Sequence, residues 1–165
     1  MIKVTADIID SRCVWDGPRN EYRYTLHRVW DPSKPRIVFI GLNPSVADEH
    51  QDDNTVRKCI NIARRDGYGS MTMLNAYAYR STDPKALTTH PDVIGTHNDR
   101  YIAEACSEAD KIVVAWGNHV TDDRHNTLLR VLDGHKLYCF AKNRNGKPKH
   151  PLYVSLKAPL FPYRK

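Results

Sequence analysis

The stretch Arg36-Ile37-Val38-Phe39-Ile40-Gly41-Leu42-Asn43-Pro44-Ser45 decides the fold of this chain. Its first half is a short, mainly apolar run rich in β-branched side chains, which is typical of a parallel strand buried on both faces. Its second half holds glycine, asparagine, proline and serine, the residues that favour turns. We therefore predict a buried strand that ends in a polar turn at the edge of a sheet.

Strand and helix signals alternate from this point onward. The predicted strands are residues 36–40, 70–75, 111–117 and 137–141. The predicted helices run from Thr55, the expected cap, to a stop at Asp66-Gly67, and then over about 98–109 and 121–132. Such alternation predicts an α/β fold with a four-stranded, mainly parallel sheet flanked by helices.

Residues 1–30 have a different pattern. Apolar residues alternate over 2–8 and again over 22–28, and turn residues occupy 15–20 between them. We expect an N-terminal antiparallel β-hairpin. The chain has 165 residues, a length that fits one domain over 1–165.

Composition excludes several classes of protein. Hydrophobic residues make up 41% and charged residues 27%, as in globular domains, and no apolar run approaches the roughly 20 residues of a membrane span. An acid, Asp7, lies where a secretion signal would be apolar, so we expect a cytoplasmic protein without membrane contact. The four cysteines form no CxxC pair, which favours reduced thiols and no metal. Neither GxGxxG nor GxxxxGK[ST] occurs, so no cofactor is expected.

Two asparagines follow apolar runs at predicted strand ends. Asn43 and Asn75 stand where ligands bind in open parallel sheets, beyond the carboxyl ends of the strands. An amide offers a donor and an acceptor side by side, which suits the edge of a pyrimidine or an attacking water. The alternatives are structural: Asn43 as a turn residue, and Asn75 as a side chain that ties down the following loop.

Four segments, in order, resemble the signature motifs of the uracil-DNA glycosylase superfamily. Gly41–Ser45 resembles the first motif in its mismatch-specific thymine/uracil form, whose Asn positions the water where uracil-specific members carry an Asp. Met73-Leu74-Asn75 resembles the segment that reads the pyrimidine edge, and Val113–Gly117 resembles the strand that ends in Trp-Gly. His150-Pro151-Leu152 resembles the last motif, which steadies the base carbonyl and leads into a DNA-intercalating loop. The similarity covers about residues 36–156.

The resemblance implies a three-layer fold and hydrolysis of the N-glycosidic bond of a flipped pyrimidine in DNA. Asn43 would position water, Asn75 would read the base, and His150 would stabilise the leaving group. The residues expected to lie beside the base are Gly41, Leu42, Ser45, Asn75 and Tyr77.

An amide is a poor base, so a carboxylate is a further candidate for the chemistry. Asp48, Asp52 and Asp53 follow the first motif, and Asp53 is the preferred catalytic candidate. The alternatives for the adjacent Asp52 and Asp53 are binding of a metal as a pair and stabilisation of the N-terminus of the helix that follows.

A net charge of +6 agrees with a polyanionic partner. The loop 142–151 carries four cations and no acid, so we expect it either to contact phosphates or to be a solvated loop. The candidates for nucleic-acid binding are Lys142, Arg144, Lys147 and Lys149. We expect DNA, or a nucleotide or nucleobase, as the partner of a monomeric protein.

The chain departs from the superfamily in its last motif. The usual Ser-Pro-Leu continuation is replaced by Leu152-Tyr153-Val154, which brings the intercalating wedge into question. The chain also resembles a group of phage and bacterial proteins with Gly-Leu-Asn-Pro-Ser, Asp-Asp-x-Thr and His-Pro-Leu-Tyr. Two other functions therefore stay open: an enzyme for a modified base or free nucleotide, and a binding module of the same fold without catalysis.

Overall fold

The computed structural model describes residues 2–164. The strands are β1 Ile2–Lys3, β2 Asp10–Asp16, β3 Tyr22–Val29, β4 Arg36–Gly41, β5 Gln51–Asp52, β6 Ser70–Asn75, β7 Lys111–Val114, β8 Leu137–Cys139 and β9 Phe161–Arg164. The helices are α1 Asn54–Arg65, α2 Ala86–Thr89, α3 Asn98–Ser107 and α4 Asp122–Val131, and a short 3₁₀ helix covers Pro151–Tyr153.

The main sheet has seven strands in the order β2-β3-β6-β4-β7-β8-β9. Its centre, β6-β4-β7-β8, is parallel, whereas β2, β3 and β9 run antiparallel to their neighbours. The predicted α/β class is confirmed, and the four predicted strands form the parallel centre. The prediction of a four-stranded sheet is wrong, because the hairpin pairs with β6 and β9 adds an edge next to β8.

The N-terminal hairpin lies further along the chain than the alternation over 2–8 indicated. Its strands are β2 and β3, while Ile2–Lys3 pairs with Gln51–Asp52 as a separate two-stranded sheet. Strand β2 has mostly half-buried side chains and includes charged residues. An edge strand of this kind lacks the alternation of apolar and polar residues from which a strand is predicted.

Helices cover both faces of the sheet and produce three layers. Helix α1 packs its apolar face, including Cys59 and Ile62, against one side of the sheet, where Phe39 and Met73 lie. Helices α3 and α4 pack on the other side through Ile102 and Leu128. The cap of α1 is Asp53, whose Oδ1 accepts from the Val56 N–H at 2.8 Å, and not Thr55 as predicted.

The strand order predicts a crevice beyond the carboxyl ends of the central strands. From β4 the chain passes to β6 on one side and then to β7 on the other, so the winding direction reverses at β4. Ligands of open α/β sheets bind at such a reversal, beyond the carboxyl ends of the strands. No helix within residues 2–164 is long and apolar enough to cross a membrane.

Candidate functional site

A cavity of about 600 Å³ lies beyond the carboxyl ends of β4, β6 and β7. This volume lies within the range of small-molecule sites, roughly 300–1,000 Å³. Its walls include seven of the residues that the sequence singled out. They are Gly41, Leu42, Asn43, Ser45, Asp53, Asn75 and His150.

Internal hydrogen bonds fix the orientation of the Asn43 side chain. Its Nδ2 donates to the carbonyls of Pro44 at 3.0 Å and Ser81 at 2.9 Å, with a longer contact to Tyr79 at 3.4 Å. Its Oδ1 has no hydrogen bond to any residue in 2–164 and is the group left for a ligand or water. A carboxylate here would direct a negative oxygen at these carbonyls, which explains why this position holds an amide.

Asn75 is buried at the floor of the cavity, with 3% of its surface exposed. Its Nδ2 is fully buried and has no hydrogen-bond partner among the described residues. Gly41 makes room for this side chain, since a Cβ at position 41 would lie 3.0 Å from Asn75 Oδ1. A buried donor without a partner costs about 1–3 kcal/mol, so the position of Asn75 suits a ligand that accepts its hydrogen bond.

His150 is held in one tautomer. Its Nδ1 accepts from the Leu152 N–H at 3.2 Å, so the proton of the neutral ring lies on Nε2. Nε2 forms no hydrogen bond within residues 2–164. Gly117, at φ +77°, allows the close approach, because a Cβ there would lie 3.2 Å from His150 Cβ. The ring thus offers the cavity one N–H donor.

Burial, aided by His119 and Lys58, lowers the pKa of His150 to about 4. In the unfolded chain this histidine is protonated below about pH 6.5, whereas in the folded chain it becomes protonated only near pH 4. We therefore expect the free energy of unfolding to fall by up to about 3 kcal/mol between these pH values because of this residue, and not to depend on it above pH 6.5.

The variant His150→Asn tests this expectation. Its side-chain oxygen can still accept from the Leu152 N–H, but it does not titrate. Urea unfolding at pH 4.5 and 7.5 should give a smaller loss of stability at low pH for His150→Asn than for the wild type. Equal losses in the two proteins would contradict the assignment.

The structure separates the three aspartates of the first loop. Asp48 Oδ1 accepts from the backbone N–H groups of His50 and Gln51, and Asp52 is 1% exposed and paired with two arginines. Of the three, Asp53 alone lines the cavity. Its Oδ1 caps α1, which leaves Oδ2 for a ligand or water.

Five predicted site residues lie outside the cavity lining. Tyr77 is buried, and its hydroxyl accepts from the Thr121 N–H at 3.1 Å, so the expected contact with a base is corrected to a structural role. Lys147 is also buried, and its Nζ donates to the Val120 carbonyl at 2.6 Å and pairs with Asp122 at 3.0 Å. It is therefore not free to contact phosphate.

The other three cations do not line the cavity, but each is next in sequence to a residue that does, Asn143 or His150. Lys142 and Arg144 are exposed and Lys149 is half-buried. Asn143, between the first two, does line the cavity and was not singled out in the sequence.

Arg23 also lines the cavity, is 2% exposed, and is not among the residues predicted from the sequence. Arg23 lies on β3, in a segment whose alternation of Tyr22, Tyr24 and Leu26 assigns it to the polar face. No sequence signal marks it, since its placement depends on a local irregularity of the hairpin described below.

The rim of the cavity carries two exposed apolar side chains, Leu152 at 51% and Tyr153 at 69%. Their segment is fastened to α1, because Lys58 Nζ donates to the carbonyls of Pro151 at 3.0 Å and Val154 at 2.9 Å. Arg65 extends this attachment to residues 156 and 158. The backbone that carries Leu152 and Tyr153 is therefore held in place beside the opening of the cavity.

Comparison with protein families gives one match. The family model described as "Protein of unknown function (DUF1643)" matches residues 23–152, which is most of the chain. The chain belongs to the DUF1643 family. No curated protein and no solved structure matches this DUF1643 protein. The matched region begins at Arg23 and contains every cavity residue discussed above except Tyr153.

Within residues 2–164 of this DUF1643 protein, no group of three or more His, Cys, Asp or Glu side chains is arranged to hold a metal ion. The polar side chains of the cavity are amides, hydroxyls, the imidazoles of His119 and His150, one carboxylate, one guanidinium and one indole.

Proposed function

We propose that this protein is a uracil-DNA glycosylase-like hydrolase that releases a pyrimidine base from DNA. One observation carries the proposal: Asn43, Asn75 and His150 come from three separate segments, line one cavity of suitable size, and each have a polar atom without a partner in residues 2–164. The resemblance of the strand-end motifs supports the same function.

The reaction breaks the bond between the base nitrogen and C1′ of the sugar and forms a bond from C1′ to a water oxygen. The electron pair of the broken bond leaves with the base, and negative charge develops on the base carbonyls. The neutral His150 ring would donate from Nε2 to such a carbonyl, and preorganised donors of this kind lower the barrier. A low pKa keeps His150 neutral at physiological pH, and this suits a hydrogen-bond donor that does not give up its proton.

Asn43 and Asp53 would act on the water. The Asn43 Oδ1 would hold the water, and the Asp53 Oδ2 would take its proton and stabilise the positive charge on the sugar. Both oxygens belong to side chains whose other polar atom is already bound to backbone, so little reorientation is needed. Asn75 would pair with the pyrimidine edge through its donor and acceptor.

The rim supports the choice of DNA over a free base. An enzyme that acts on a base within a duplex extracts it from the stack at a cost of a few kcal/mol. Leu152 and Tyr153 protrude beside the opening and would fill the gap left by the base. Lys142 and Arg144 are exposed on either side of Asn143, which lines the cavity, and they would contact backbone phosphates.

A base-release assay tests the proposal. Labelled single- and double-stranded oligonucleotides would carry uracil, mismatched thymine or modified pyrimidines, and alkaline cleavage would reveal abasic sites. We expect release from at least one substrate and a loss of about 100-fold in rate for Asn43→Ala, a magnitude typical of an organising group at the reaction centre.

Asn61→Ala, an exposed asparagine on α1, is the matched control and should not change the rate. Absence of abasic sites from every substrate would refute the proposed reaction. Equal rates for wild type and Asn43→Ala would refute the role of Asn43.

A further inference from the structure

Strand β3 carries two buried arginines with opposite surroundings. Arg28 is 0% exposed and pairs with Asp52 at 3.1 Å. Arg23 is 2% exposed, yet its guanidinium forms no ion pair with any carboxylate in residues 2–164. It makes one hydrogen bond, from Nη1 to the Ala47 carbonyl at 2.9 Å, and its buried Nε has no partner. Burial lowers the pKa of Arg23, which reflects the cost of an unpaired charge there.

A β-bulge directs Arg23 into the cavity. In the hairpin, Val14 lies opposite Thr25 and the next residue, Trp15, lies opposite Arg23, so Tyr24 is an extra residue on β3. Bulges re-aim side chains and occur often beside functional sites. Leu26 lies on the face of the sheet that α1 covers. In a regular strand, Arg23 is three residues from Leu26 and would lie on the other face.

Other donors converge on the same space. The unpartnered Nδ2 of Asn75 lies at the floor of the cavity. The first residues of the 12-residue helix α1, Asn54 and Thr55, line the wall, so the positive end of the helix dipole points to the cavity. Against these donors stands one carboxylate, that of Asp53. The cavity lining therefore carries a single negative side chain, and its Oδ1 is already bound to the Val56 N–H.

We propose that the cavity binds an anionic oxygen group of its ligand, a carboxylate or a phosphate monoester, through Arg23 with Asn75 beside it. Such a group supplies an acceptor for the guanidinium and adds negative charge where Asp53 is the one carboxylate of the lining. The choice of nucleobase ligands rests on the proposed function, whereas the preference for an anion rests on Arg23 itself.

Paired ligands test the preference by isothermal titration. Orotate against uracil measures the effect of a carboxylate on the base, and dUMP against 2′-deoxyuridine measures that of a phosphate. We expect the anionic member of at least one pair to bind about tenfold or more tightly than the neutral member. The pair that shows the difference identifies the source of the anion.

Arg23→Met should reduce this preference to about parity, because methionine fills similar space without charge or donors. Arg12→Met removes the same charge from an exposed position on β2 and should keep the preference. Circular dichroism and thermal melting confirm that each variant is folded, and replacement of an unpaired buried charge is not expected to unfold the protein.

Equal binding within both pairs, absence of binding by both anions, or a preference retained in Arg23→Met would overturn the inference. The same experiments distinguish failure of this inference from failure of the proposed base-release reaction. Base release without any preference for anions would contradict this inference alone, and a preference for anions without base release would contradict the proposed reaction alone.

Discussion

Arg28→Met is expected to lower the free energy of unfolding by about 3–5 kcal/mol, because it breaks a buried ion pair and leaves one partner behind. Arg28 binds Asp52 Oδ1 through Nε at 3.2 Å and Nη2 at 3.1 Å, and it also donates to the carbonyls of Asp48 and Gln51. Without Arg28, the buried Asp52 keeps one arginine, Arg57, at 3.0 Å. Urea unfolding followed by circular dichroism at pH 7 measures the change.

Arg23→Met is the matched control for this loss. It is the same substitution on the same strand at a similarly buried position, but no carboxylate in residues 2–164 loses an ion-pair partner. We expect its stability to be close to that of the wild type, because loss of the hydrogen bond to the Ala47 carbonyl is offset by removal of a buried, unpaired charge. Equal destabilisation by the two substitutions would show that Arg23 is a structural residue.

Asn75→Leu is expected to reduce base release by about 100-fold or more without lowering stability. An active site that hydrogen-bonds a polar group of its substrate loses both selectivity and reaction rate when the side chain that makes this hydrogen bond is removed. Stability should be retained because the substitution removes a buried donor that has no partner in the folded chain. The rate is measured by the abasic-site assay and the stability by thermal melting.

Asn98→Leu provides the opposite pattern as a control. Asn98 is 0% exposed, and its Nδ2 donates to the carbonyls of Asn75 at 3.0 Å and Ala76 at 3.3 Å. Its loss leaves both carbonyls without this donor, and we expect the free energy of unfolding to fall by about 1–3 kcal/mol. A larger stability loss in Asn75→Leu than in Asn98→Leu would contradict a ligand-binding role for Asn75.

The parallel centre of the sheet could be predicted because its strands are buried on both faces. Apolar runs such as 36–40 and 70–75 and the helices between them follow directly from hydrophobic periodicity. The edges could not be predicted in this way. Strand β2 is half-exposed, and β9 has four residues with a proline among them, so burial leaves little trace in either sequence.

The candidate site was predictable where a polar residue ends a buried strand. Asn43 and Asn75 stand out because amides are uncommon after apolar runs, and the strand order brings them to one edge. Tyr77 and Lys147 were misplaced because their pattern does not show that neighbouring loops enclose them. Arg23 escaped notice because a single extra residue in a hairpin changes which face a side chain occupies.

Because of the bulge in the hairpin, the charge that Arg23 brings to the cavity can change in evolution independently of the polar side chains at the strand ends. The amides and the two imidazoles follow the parallel strands or lie in their connections, whereas Arg23 comes from a hairpin attached at one side of the sheet. Insertion or deletion of one residue near Tyr24 would turn the guanidinium out of the cavity and leave the other walls in place. Under the two proposals made above, relatives with the same strand ends would share a reaction while differing in the charge of the molecule that they accept.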